Sequence, residues 1–210
     1  MIILSHRGFW QQESEKNTDK AFKNSFSNEF GTETDLRDQN GELLISHDPP
    51  IKSVNNIKNF IKIFNEYNPD LTLALNIKSD GLQDLVLKFL KQGNIKNYFV
   101  FDMSVPDTLR YFEKGIKVFV RQSEYEKTPS FYERCEGIWL DCFENVWYDE
   151  ELILNHLKNE KKVAIVSSDL HKRDKSKHWE MLKNWKCINN NNLMLCTDFP
   201  VQARKYFKNE

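Results

Sequence analysis

The chain has 210 residues, enough for one domain of ordinary size. Its 30 Lys and Arg against 31 Asp and Glu give a formal charge of -1, which removes the usual electrostatic argument for binding nucleic acid or an anionic membrane surface. Apolar residues make up 40%, with 15 Phe and 5 Trp, so the chain can fill a core and wholesale disorder is excluded. Mean hydropathy is -0.65, and no apolar run approaches the roughly 20 residues that span a bilayer. A soluble protein without membrane insertion is expected.

The opening apolar run, Met1-Ile2-Ile3-Leu4, gives way at once to Ser5-His6-Arg7. A secretory signal needs a longer apolar stretch, so the expected location is cytoplasmic. Four cysteines stand at 135, 142, 187 and 196. None are spaced as a zinc ribbon or a redox Cys-x-x-Cys, and reduced thiols are expected.

Short β-rich runs alternate with amphipathic stretches along the whole chain. Ile2–Leu4 reads as a strand and Thr18–Phe30 as a helix, with Phe22, Phe26 and Phe30 recurring at i, i+4 and i+8. Thr32–Arg37 and Glu42–Ser46 read as strands. Asn55–Tyr67 reads as a helix with Ile57, Phe60, Ile61 and Phe64 on one face. Strand Leu71–Ile77 leads to helix Leu82–Lys91, and strand Tyr98–Phe101 to helix Pro106–Lys114, with Pro near the helix start. Val118–Arg121 precedes a short helical piece at Phe131–Cys135. Three more pairs follow: Ile138–Asp141 with Glu150–Asn159, Val163–Ser167 with Lys177–Lys186, and Leu193–Thr197 with Val201–Phe207.

About eight strand–helix units of roughly 26 residues each point to an α/β fold, a single compact (β/α)8 TIM barrel over residues 1–210. A doubly wound open sheet is the alternative, but it usually carries a Gly-rich first turn, and Ser5-His6-Arg7-Gly8 is no such turn.

In a parallel barrel the active site lies at the strand C-termini. Those ends carry Ser5-His6-Arg7-Gly8, Glu33-Thr34-Asp35, Ser46-His47-Asp48-Pro49 and Asn76-Ile77-Lys78. Strand alternation puts Glu33 and Asp35 on one face, and likewise Asn76 and Lys78. Two carboxylates beside an amide oxygen suit a hard cation, Mg²⁺ or Ca²⁺. His6 and His47 could serve as general base and acid, while Arg7 and Lys78 could neutralise a phosphate. This set is what phosphoester hydrolysis requires. Later strand ends add Arg121, Asp141, His171, Lys172, Arg173 and Asp198. His171, Lys172 and Arg173 could hold a second anionic group, or form a solvated loop in a charge-rich stretch. Asp48 could cap a turn before Pro49, and Trp139 and Trp147 read equally as packing residues or substrate platforms.

His6-Arg7-Gly8, Asn17-Thr18 with Ala21-Phe22, Glu33-x-Asp35, Asp38-x-x-Gly41 and His47-Asp48 together resemble the signature of the glycerophosphodiester phosphodiesterase family. Asn76-Ile77-Lys78 and Thr197-Asp198-x-Pro200 resemble its later motifs. The resemblance implies a TIM barrel, a divalent metal (Mg²⁺ or Ca²⁺) held by Glu33 and Asp35, acid–base work by His6 and His47, and phosphate contacts from Arg7 and Lys78. The implied partner is a small-molecule phosphodiester. The chain departs from the family pattern in three places: Asn76 stands where a Glu ligand is usual, Lys16 replaces a Glu before Asn17-Thr18, and the segment between His47 and Asn76 is short. The expected function is metal-dependent phosphodiester hydrolysis, with Asn76 assisting as a metal ligand and Arg121, His171 and Arg173 as further substrate contacts. Phosphomonoester or sugar-phosphate hydrolysis at the same site, and a non-catalytic phosphate-binding barrel, are the alternatives.

Overall fold

The computed structural model describes residues 1–50 and 55–208. They form two units by internal contact, Ser5–Val118 and Met1–Leu4 with Phe119–Glu210. The strands of the alternation are β1 (Ile2–His6), β2 (Gly31–Gln39), β5 (Leu73–Ile77), β6 (Tyr98–Phe101), β7 (Phe119–Gln122), β8 (Gly137–Leu140), β9 (Lys162–Val166) and β10 (Leu193–Thr197). The helices are α1 (Asp19–Ser27), α2 (Ile57–Asn65), α3 (Gln83–Gln92), α4 (Val105–Glu113), α5 (Glu150–Lys158), α6 (Ser176–Lys183) and α7 (Pro200–Lys208). Two further strands, β3 (Glu42–Ile45) and β4 (Asn55–Asn56), stand outside the alternation. The fold is the α/β, TIM-barrel-like class expected.

In the Ser5–Val118 unit, β2, β5 and β6 pair in parallel, and Asp35 lies in register with Asn76 and Asn76 with Phe101. β3 returns antiparallel to β2 and β4 antiparallel to β3. The hairpin turns at Asn40 and Gly41, both at positive φ, a conformation these residue types reach cheaply. Behind the sheet, α1, α2 and α3 share one aromatic cluster. Phe22 meets Phe60 edge-on at 4.7 Å, and Phe26 meets Phe64 at 5.4 Å. Phe89 of α3 closes it against Phe60. Each of these rings is buried, contributing about 1.5–3 kcal/mol by apolar burial.

In the other unit, β10, β9, β8 and β7 pair in parallel, in that order. Gly137 is required where β8 starts: a Cβ there would lie 2.5 Å from both the Lys162 carbonyl oxygen and the Phe119 ring. The buried Asp169 carboxylate ties the ends of β9 and β10 together, accepting from Thr197 Oγ1 at 3.0 Å and the Asp198 amide at 2.7 Å.

Most boundaries differ from expectation by one to three residues, for local reasons. Thr18 caps α1 rather than joining it, its Oγ1 accepting from the Ala21 amide. Ser104 caps α4, with Pro106 in its first turn. Phe131–Cys135 is a correction: it makes a single turn closed on the Phe131 carbonyl, not a helix. The expected helix at Asn55–Tyr67 starts later, because Asn55 and Asn56 pair with β3, and Lys177–Lys186 ends at Lys183 before a separate 3-10 turn, Lys186–Asn189. No helix among the described residues is long and apolar enough to cross a membrane. All four cysteines are buried and unbridged.

Candidate active site

The site is built where β1 runs out. Arg7 and Gly8 both take positive φ, at 58° and 83°. Gly8 has no substitute here, since a Cβ would stand 2.8 Å from Ala21 of α1. The resulting turn sends the Arg7 amide back to the β2 end, where it meets the Glu33 carbonyl at 3.0 Å and Glu33 Oε2 at 3.1 Å. The Arg7 carbonyl accepts from the Asn17 amide, which locks the approach to α1.

Glu33 and Asp35 are 1% and 0% exposed, so both carboxylates are removed from water. Asp35 is ringed by cations and donors on one side. Its Oδ2 accepts from the Asn17 side-chain amide at 2.8 Å and forms an ion pair with Arg7 Nε at 2.9 Å, without a hydrogen bond between them. Its Oδ1 lies 3.4 Å from Lys78 Nζ and makes no hydrogen bond. Glu33 is less well served: His6 Nε2 stands 3.9 Å away. Burial, and then the neighbouring Asp35 charge, push the Glu33 carboxyl up to about 7.

Asn17 carries a role that sequence reasoning left unassigned. At φ 59° it turns its side chain to Asp35, while its amide oxygen accepts from Thr34 Oγ1 at 2.9 Å. The signal was an Asn, a residue type enriched in left-handed backbone, directly before a helix-capping Thr.

Asn76 Oδ1 is buried and makes no hydrogen bond. Its strand partner is Asp35, whose Oδ1 is likewise unsatisfied. Two unbonded oxygens on register neighbours, beside a buried carboxylate with raised proton affinity, fit a hard oxygen-seeking cation. Among the described residues no group of three His, Cys, Asp or Glu that could hold a metal ion comes together.

The structure therefore brings His6, Arg7, Glu33, Asp35, Asn76 and Lys78 to neighbouring positions. Arg7 and Lys78, expected on phosphate, rest on Asp35. His47 stands apart from the cluster in its own contacts. Its side chain is 46% exposed, Nδ1 bonds Asp48 Oδ1 at 2.8 Å and its carbonyl accepts from Arg37. It follows Ser46, whose amide bonds the Asp35 carbonyl at 3.2 Å.

In the other unit, His171 Nε2 donates to the buried Asp141 at 2.7 Å and its ring lies tilted against Phe143, centroids 5.0 Å apart. Arg173 donates to the Cys142 carbonyl. Arg121 pairs with Glu126 and covers the Phe143 ring. Trp139 is buried, and Trp147 donates to the Asp141 carbonyl at 2.8 Å.

No protein-family model matches the sequence, and no curated protein does. Solved structures are similar. A glycerophosphodiester phosphodiesterase from Thermotoga maritima superposes with TM-score 0.68 over 97% of each chain at 16% identity. An Oleispira antarctica phosphodiesterase, in complex with the product sn-glycerol-3-phosphate, does so with TM-score 0.69 over 99% of this chain and 97% of that one, at 13% identity. A Ca²⁺-dependent phosphatidylinositol-specific phospholipase C from Streptomyces antibioticus reaches TM-score 0.55 over 98% and 95% at 8% identity. At these identities the likeness establishes the fold.

Proposed function

We propose that the chain, acting as one domain, is a metal-dependent phosphodiesterase that hydrolyses a small glycerophosphodiester-like substrate. The observation that carries this reading is the buried Glu33 and Asp35 pair, flanked by Arg7 and Lys78, with the unbonded Asn76 oxygen on the register partner of Asp35. The glycerophosphodiester phosphodiesterases among the structural neighbours support the same reaction class.

Glu33, Asp35 and Asn76 would hold the divalent ion, Mg²⁺ or Ca²⁺, which when bound supplies Lewis-acid stabilisation of phosphoryl charge. Arg7 offers a planar fork and Lys78 a point charge to the phosphoryl oxygens. His6, on the buried side beside Glu33, accepts the proton of the attacking hydroxyl. His47, on the open side and steadied by Asp48, gives a proton to the leaving alkoxide. Where the substrate carries a hydroxyl next to the ester, that hydroxyl attacks first, and the two histidines exchange roles when water opens the cyclic phosphate. His171, Arg173 and Arg121 are proposed as contacts for a second anionic group.

The test is hydrolysis of bis(p-nitrophenyl) phosphate and of glycerophosphodiesters with Mg²⁺, Ca²⁺ or Mn²⁺ and with EDTA. Turnover should require the ion and fall about 10²- to 10⁴-fold in His47→Ala. Full activity in that variant contradicts the role of His47. Activity in Asn76→Glu with a silent parent would mark a non-catalytic binding protein.

A further inference from the structure

The two oxygens of Asp35 are held in different ways. Oδ2 accepts a hydrogen bond from the Asn17 side-chain amide at 2.8 Å, Asn17 being itself held by Thr34, and lies 2.9 Å from Arg7 Nε as an ion pair without a hydrogen bond. Among the described residues, Oδ1 has only the Lys78 ammonium, at 3.4 Å and without a hydrogen bond. The same Oδ1 lies on the register partner of Asn76, whose own Oδ1 is unsatisfied. A divalent ion held by Asp35 and Asn76 would bring its charge to the carboxylate that Lys78 neutralises.

We infer that Lys78 is a displaceable counter-ion: it neutralises Asp35 when the site holds no metal, and leaves Asp35 for the substrate phosphate when the ion arrives. This rests on the metal-dependent reading above and adds a coupling to it. Lysine suits the task because its ammonium is a compact charge on a flexible stem, whereas Asn17, hydrogen-bonded to both Asp35 and Thr34, is a fixed brace on the other oxygen. The backbone supports the motion, since the Lys78 amide is anchored to the Leu36 carbonyl at 2.9 Å and only the side chain has to swing. By linkage, an ion that releases Lys78 strengthens phosphate binding, and phosphate that captures Lys78 strengthens ion binding by the same factor.

The experiment titrates Mg²⁺, in phosphate-free buffer, into protein with ¹³C-labelled lysine, beside calorimetry on the same samples. The Lys78 side-chain signal, assigned by its loss in Lys78→Gln, should move saturably with the calorimetric Kd. Lys78→Met and Lys78→Gln, checked for unchanged circular dichroism, should each bind Mg²⁺ about 10-fold more tightly than the parent. Inorganic phosphate should tighten Mg²⁺ binding more in the parent than in either variant. Mg²⁺ binding that leaves the Lys78 signal still, or variants that bind no tighter, would overturn the counter-ion role and leave the metal-dependent reading standing. Absence of heat and of any shift with Mg²⁺, Ca²⁺ and Mn²⁺ would overturn both.

Discussion

Glu33 concentrates the tension in the site. Its carboxyl is buried beside Asp35 and raised to about 7, against an unfolded value near 4.5. The folded chain therefore holds a proton there that the unfolded chain has lost, and stability falls as pH rises from 4.5 through 7. Glu33→Gln removes the ionisation while its amide oxygen can still accept from the Arg7 amide. Without metal at pH 8, this variant should be more stable than the parent by about 1–3 kcal/mol, with the gap closing as pH falls toward 4.5. Chemical denaturation in EDTA at both pH values measures it, and a variant less stable at pH 8 contradicts the account. The meeting of His6, Arg7, Glu33, Asp35 and Lys78 was legible because His6, Arg7 and Lys78 end or directly follow a strand, while Glu33 and Asp35 lie within β2 where alternation gives them one face. That Arg7 and Lys78 rest on Asp35 was not, since a long side chain turns to whichever charge the register brings within reach. Asn17 was hidden for a related reason: its work depends on a left-handed backbone angle that residue type only favours.

At the scale of elements, the Phe22 and Phe26 spacing of α1 and the Phe60 and Phe64 spacing of α2 were legible and decisive, whereas Phe30 lies beyond the end of α1 and packs edge-on against Phe9. Phe60 is fully buried and touches Phe22, Phe26, Phe64 and Phe89, joining three helices. Phe60→Ala should cost about 3–5 kcal/mol in urea denaturation, whereas a loss under 1 kcal/mol would mean that the cluster is not cooperative. The turn at Phe131–Cys135 was misjudged because a few residues of helical spacing nucleate nothing without a partner face. Two helices carry buried histidines that the chemistry does not use. His156 of α5 bridges Tyr132 and Gln122. His178 of α6 joins Tyr148 at 2.9 Å and accepts from the Ser168 amide. Burial lowers both to about 4. The unfolded chain takes up these protons first, so stability is lost as pH falls from about 6.5 toward 4. Each should contribute about 2 kcal/mol of loss between pH 7 and 4.5. Urea midpoints at the two pH values read this, and His178→Gln should flatten the dependence; an unchanged slope contradicts it.

At the scale of the whole molecule, the fold class was legible from rhythm alone, because the buried parallel strands other than the polar β2 write short apolar runs and the helices amphipathic ones. The β2–β3 hairpin with β4 interrupts that rhythm, and it carries the chain to His47. Substrate identity was less legible, since a barrel of this kind hosts many chemistries and the site must decide between them. The site combines buried carboxylates, an amide oxygen, two cations and one histidine, His6, and the proposed phosphodiester hydrolysis draws on His47 from outside that cluster.

The most direct measurement follows a glycerophosphodiester by ³¹P NMR with Mg²⁺ or Ca²⁺, before and after EDTA. The account predicts that the diester signal is replaced by that of a phosphomonoester, with or without a transient cyclic phosphate, and that EDTA stops the change. Turnover indifferent to EDTA, or release of inorganic phosphate from a monoester while diesters stay intact, would contradict it.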